Sequence, residues 1–310
     1  RADMDALAID EKTGLEYASK HSGYMHACGH DGHMAILLGF AQWLSQNRRH
    51  LKHNVVLLFQ PAEESVGGAM QMISEGALDN PKADYIFGYH IMPEIPQGKI
   101  GLKEGPLMAA TSEFSIDIYG ARAHGAMPHR GIDTILASAH FITQLQSILT
   151  RRIDPYSKAL VSIGQLQAGD ARNIIASHAH MEGTMRTFDE DTLNAVKKHM
   201  KELLAGMETS HGIRSEIKEH VYYPPVVNNH ELTDRLRGII PQNMLHTISP
   251  MMIAEDFSYY QQRIPGVFIF LGSRDEEKGY TYPLHSDRFQ FDEDILLTGI
   301  QLYKEILMSL

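Results

Sequence analysis

A single cysteine in 310 residues leaves nothing with which to build an internal disulfide framework. Cations are scarce too: 28 Lys and Arg face 38 Asp and Glu, for a formal charge of −10. That balance excludes a nucleic-acid or anionic-membrane partner, because both require clustered positive charge. No apolar run approaches the roughly 20 residues of a membrane span, and no signal peptide is visible. A cytoplasmic, reducing compartment is therefore expected. Gly-rich phosphate loops, HExxH and GxSxG are also missing, which removes several common nucleotide-binding and hydrolase readings. What remains is ordinary globular material, 43 % hydrophobic and 21 % charged, long enough for one large domain or two smaller ones. The sequence opens at Arg1, directly on a strand-like run, and is expected to be an N-terminally truncated fragment.

The first hundred residues alternate strand-like and helical patterns. A mostly apolar helix follows residue 33, VVLLF at 55–59 reads as a buried strand, a helix spans about 68–75, and DYIFGYH at 84–90 reads as strand again. Such alternation predicts an α/β domain with a helix-covered, mostly parallel sheet, whose ligands sit beyond the carboxyl ends of its strands. The pattern changes near Met108. A half-exposed strand, a long amphipathic helix, strands at about 159–166 and 178–187, a second amphipathic helix and a strand at about 214–222 follow. That order, β-α-β-β-α-β, is the split motif of a ferredoxin-like α+β sandwich. After YPPVVNN the first style returns, with a helix near 231–238, the strand GVFIFLG at 266–272 and a helix at 292–309. The expected organisation is thus one domain from 1–107 and 223–310, interrupted by a smaller one at 108–222.

Four polar clusters fall at the ends of these elements: Cys28/His30/Asp31/His33, Glu63–Glu64, His90 and His285. Imidazole, carboxylate and thiolate together suit Zn²⁺, Mn²⁺, Co²⁺ or Ni²⁺. Adjacent glutamates allow one to ligate and the other to act as general base. Each feature alone has a bland account. His90 fits a satisfied buried histidine, Glu63–Glu64 a helix start, Asp31 an N-cap and Cys28 a small buried hydrophobe. Separate accounts do not predict their shared placement at element ends. The competing chemical use, a Cys28 nucleophile, needs a base, and His30 two residues on is poorly placed for it. Metal ligation is favoured.

The stretches RADMDALAI (1–9), MHACGHDGHMA (25–35), LLFQPAEE (57–64), GGAMQMISEGAL (67–78) and GYHIMPEIPQGKI (88–100) resemble the M20 metallopeptidase family, in particular its amidohydrolase branch. GARAHGAMPH (120–129), NIIASHAHMEGTMRTF (173–188), AEDFSYY (254–260) and LHSDRF (284–289) continue the match in order. The resemblance implies a zinc-peptidase-like catalytic domain with an inserted lid or dimerisation domain, and a site for two divalent metal ions. By that resemblance Cys28 is the bridging ligand, His30, Glu64, His90 and His285 complete the set, and Glu63 is the catalytic base. Asp3 takes the place of an acid that orients a histidine ligand. Arg1 stands where other branches carry a histidine ligand, and Ala8 where proline is usual. In the lid, His124 matches a histidine that related dimers send to the reacting carbonyl, and Asn173 and Arg186 match residues holding a substrate carboxylate. Without the resemblance, Arg186 reads as a salt-bridge partner of Glu182.

The activity implied is hydrolysis of the amide bond of an N-acyl amino acid, acetyl or aromatic acyl, by a small-molecule enzyme that dimerises through its lid. Rival readings are a dipeptidase or aminopeptidase using the same metals, an N-acetyldiaminopimelate deacetylase serving lysine synthesis, and a truncated metal-binding chain without catalysis.

Overall fold

The computed structural model describes residues 1–310 and divides into two compact units. One comprises Arg1–Leu107, Val226–Pro250 and Glu255–Leu310; the other comprises Met108–Pro225 and Met251–Ala254. No helix is long and apolar enough to cross a membrane.

In the first unit the strand Gly266–Arg274 reads GVFIFLGSR and is buried at every position but the last, as an apolar run covered on both faces must be. It pairs in parallel with Ile86–Pro96 and, on its other side, antiparallel with the short Ile100–Gly101, which in turn takes Leu245–His246 in parallel. The helices His30–Asn47 and Asp294–Ser309 contribute Ile36, Leu37, Phe40, Leu302 and Ile306 to a core shared with Val267, Ile269 and Leu271. The two helices approach closely at Gly299, where a Cβ would lie 2.6 Å from Ile36 Cδ1.

Two expectations fail here. VVLLF does not form a strand over 55–59. Only Phe59–Gln60 is paired, in parallel with Ala2–Asp3. Val55, Leu57 and Phe59 pack against the core, so the apolar signal reports burial, while backbone pairing exists only where Ala2 and Asp3 supply it. The second failure concerns His90, which is not at a strand end. Its strand continues through IMPEIP to Pro96, and His90 sits mid-strand opposite Phe270. Two of the three pairings in this four-stranded sheet are parallel, and only that of Gly266–Arg274 with Ile100–Gly101 is antiparallel.

The second unit runs strand Ala110–Tyr119, helix Thr134–Arg151, strands Ala159–Ala168 and His178–Thr187, helix Glu190–His211 and strand Arg214–Tyr223. The sheet order is Arg214–Tyr223, Ala110–Tyr119, His178–Thr187, Ala159–Ala168, with every neighbour antiparallel, the order of a ferredoxin-like sandwich. Asp133 and Asp189 cap the two helices by accepting from backbone N–H groups, and Gly212 ends the second in the left-handed region. Phe114, Ile116, Ile118, Met181 and Met185 face Phe141, Leu145, Val196 and Met200 in one core. Alternation then leaves His178, His180, Glu182, Thr184 and Arg186 on the opposite, polar face.

Candidate active site

Cys28 and His30 flank Gly29, the helix N-cap, whose φ of 81° reverses the chain and sends both side chains into the interior. Cys28 Sγ lies 3.4 Å from His90 Nε2. His90 Nδ1 donates to the Ile91 carbonyl at 2.7 Å, so Nε2 is the unprotonated nitrogen and faces the sulfur with its lone pair.

Glu63 and Glu64 lie on the turn after Phe59–Gln60. That turn passes so close to Gly68 that a Cβ there would sit 1.9 Å from the Pro61 carbonyl oxygen. Asp5 Oδ2 accepts from the Glu64 N–H at 2.9 Å, and the Asp5 carbonyl accepts from His30 Nδ1 at 3.0 Å. Asp5 therefore ties two candidate ligands from different segments. His285 is held at φ 63°, a conformation costing about 1–3 kcal/mol for a residue with a side chain. Its N–H donates to the Ala27 carbonyl, and its Nε2 lies 3.1 Å from Glu64 Oε1.

The donor atoms form overlapping triads: Cys28/His30/His90, Cys28/Glu64/His285 and His30/Glu63/Glu64, each within 4.8 Å. All five candidate ligands and Glu63 thus come together from four stretches of chain. The buried His30 Nε2 makes no hydrogen bond, although Glu64 Oε1 lies 4.0 Å away. Protein hydrogen bonds rarely leave such atoms unserved.

The electrostatics point the same way. Burial, and then Glu64, push the Cys28 thiol well above its ordinary range, which makes a free thiolate nucleophile untenable unless a cation joins it. Burial opposes charging of His30, yet Asp3 and Asp5 outweigh it and raise its pKa to about 9. Burial, followed by Glu255, raises Glu63 well above the carboxylate range.

Behind this cluster is a buried charge hub that sequence reasoning did not find. Arg1 donates to Asp3 Oδ2 at 2.6 Å, to Glu255 Oε1 and Asp256 Oδ1 at 2.8 Å each, and to Gln60 Oε1 at 2.9 Å. Asp256 also accepts from the Gln60 amide and the Ala69 N–H. Asp3 Oδ1 accepts a hydrogen bond from His33 Nδ1–H at 2.5 Å, and His33 Nε2 accepts from the Ile91 N–H. Both nitrogens of His33 are spent. Asp3 Oδ2 lies 3.8 Å from His30 Nε2, so its place beside both imidazoles suits an orienting role.

In the second unit His124 is exposed on a short strand paired with Ile174–Ile175, and Asn173 is next along that partner. His124 Nδ1 accepts from the Ala126 N–H at 3.1 Å, which leaves the proton on Nε2. Arg186 does not pair with Glu182. Its Nη1 donates to Glu113 Oε1 at 3.0 Å on the neighbouring strand and to Thr184, while Glu182 faces His180. The sheet order, invisible in one strand's alternation, chooses the partner.

A family model described as Peptidase family M20/M25/M40 matches residues 1–309. The chain belongs to this family. It is a hydrolase acting on amides, built as the mixed α/β fold of M20 peptidases. It is 41 % identical over 304 residues to thermostable carboxypeptidase 1 of Saccharolobus solfataricus, covering 96 % of this chain and 77 % of the relative. It is 40 % identical over 305 residues to an N-acetyldiaminopimelate deacetylase of Bacillus velezensis, covering 97 % of this chain and 80 % of that one. Among solved structures, the Bacillus subtilis YXEP protein, described as a dinuclear metal binding peptidase from the M20 family, aligns at TM-score 0.83 and 37 % identity, covering 99 % of this chain and 79 % of its own.

Proposed function

We propose that the chain hydrolyses the amide bond of N-acyl amino acids at a centre for two divalent cations held by Cys28, His30, Glu64, His90 and His285. The observation that carries this reading is the set of overlapping donor triads, in which the buried His30 Nε2 has no hydrogen-bond partner. Soft sulfur with imidazole and carboxylate fits Zn²⁺, Mn²⁺, Co²⁺ or Ni²⁺. Such cations supply Lewis acidity, polarising an acyl carbonyl and acidifying water.

The protein's own groups do the rest. Glu63, unlike its neighbour Glu64, faces the acidic hub and is assigned the proton: it accepts one from the attacking water and returns it to the departing amine. The Asp5 carbonyl holds the His30 ring through Nδ1, and Asp3, which pairs with His33, is assigned to orient the imidazoles beside it. His124, with its proton on Nε2, is assigned to donate to the developing oxyanion. Arg186 and Asn173 are assigned to the substrate carboxylate, for which the guanidinium offers a bidentate fork.

The inserted domain, residues 108–222, is proposed as the lid and dimerisation domain. Its outermost strand Ala159–Ala168 is exposed along most of its length and offers an unpaired edge to a second copy. A reducing, cytoplasmic setting suits the Cys28 thiolate.

A panel of N-acetyl, N-benzoyl and indoleacetyl amino acids, assayed with each of the four metals, tests the reading. We expect turnover of at least one N-acyl class and poor turnover of dipeptides bearing a free α-amine. The carboxypeptidase relative makes peptides the second reading, and preference for dipeptides would establish it instead. N-acetyldiaminopimelate belongs in the same panel, since a relative carries that name.

A further inference from the structure

The polar face of the second unit's sheet holds a cluster that the proposed chemistry leaves unused. His178 and His180 alternate along one strand and so share a face. Both turn to Asp117 on the adjacent strand, where Asp117 is the direct cross-strand partner of His180. His178 Nε2 and His180 Nδ1 each lie 2.9 Å from the same oxygen, Asp117 Oδ1. We infer that Asp117, His178 and His180 form a separate binding site for one divalent transition-metal ion, of the Zn²⁺ class, on the exposed face of this sheet.

Two features favour an ion over a simple hydrogen-bonded trio. Zinc–nitrogen bonds of about 2.0–2.1 Å in a tetrahedron place neighbouring ligand atoms about 3.3 Å apart, so small outward shifts of these donors would admit the ion. His180 Nε2 lies 3.4 Å from Glu182 Oε1, the placement in which a ligating imidazole gives its other N–H to a carboxylate.

The cluster is also held in shape. The His178 ring stacks on Tyr119 with centroids 5.1 Å apart and planes 29° apart, and the Arg214 guanidinium lies 4.1 Å from the Tyr119 ring centre. The Asp117 side chain is only 15 % exposed, on an inner strand of the sheet, whereas that of His178 is half exposed and open to an incoming ion. Two imidazoles with one carboxylate select zinc, nickel, cobalt or copper over magnesium or calcium, which prefer oxygen alone. A bound ion would cross-link the strands Ala110–Tyr119 and His178–Thr187 and stabilise this unit by mass action.

The test compares the full chain with H178Q/H180Q and with D117N, each equilibrated with Zn²⁺ and its metal counted by atomic emission. Both variants should carry one equivalent fewer than the parent and keep the parent's hydrolytic activity. In the parent, Zn²⁺ should move the imidazole NMR signals of His178 and His180. Binding at Cys28 is common to all three proteins, so the difference stands whether or not that centre behaves as proposed. Equal zinc content in parent and variants, or unmoved His178 and His180 signals at saturating Zn²⁺, would overturn the inference.

Discussion

Glu63→Gln should keep the parent's metal content and lose turnover by roughly 10²–10⁴-fold, the usual contribution of a positioned general base. Glutamine matches glutamate in shape, so the turn between Phe59–Gln60 and Gly68 can be kept. What is lost is the capacity to take a proton. Glu63 is nine-tenths buried, and burial followed by Glu255 raises its pKa, the direction that brings a carboxylate toward the range of a general base. Glu64→Gln should behave differently, because Glu64 is assigned to the metals: metal content should fall along with activity. A Glu63→Gln protein with near-parental turnover would remove Glu63 as the base. Loss of metal from it would show that Glu63 ligates.

The second large effect is on stability. Arg1→Met should cost about 3–5 kcal/mol, the cost of stripping one partner from a buried ion cluster. The Arg1 side chain is fully buried and bridges Asp3, Glu255 and Asp256, none of whose side chains is more than 2 % exposed. Without the guanidinium, three carboxylates face one another in a dry interior. The pH dependence follows. Burial works against ionised Asp3, yet Arg1 and then His33 hold its pKa well below the ordinary value. A lowered folded-state pKa adds stability above the unfolded value of about 3.9, and that stability disappears as pH falls toward the folded one. The gap between parent and variant should therefore be widest near neutrality and narrow in acid, where the orphaned carboxylates take up protons. Urea unfolding across that pH range measures it, and a constant gap would contradict the charge account.

How much of this could be read beforehand depended on the range of the interaction. Local periodicity placed the strand His178–Thr187 and the helices of the second unit within a few residues, because side-chain alternation and capping are short-range facts. It misjudged 55–59, where an apolar run signals burial but cannot reveal whether a neighbouring backbone is there to pair. It stopped the strand of His90 too early: IMPEIP carries two prolines yet lies extended to Pro96. Cys28, His30, Glu64, His90 and His285 were legible as metal-binding types, and the resemblance supplied their assembly. Glu255 and Asp256 were not legible as partners of Arg1. They stand more than 250 positions from it, and nothing in AEDFSYY reveals that its acids turn inward. Asp5 was missed for a subtler reason: it works through its backbone carbonyl as well as its carboxylate, and no residue-type argument sees a carbonyl.

Everything proposed for catalysis depends on one enclosure of donor atoms holding cations. An anomalous difference map, collected at the absorption edge of Mn²⁺ or Zn²⁺ supplied to crystals of the protein, tests it directly. The account predicts two peaks enclosed by Cys28, His30, Glu64, His90 and His285, with Glu63 beside them. An enclosure without anomalous density, or ions bound while Cys28 and His90 remain in contact only with each other, would contradict it.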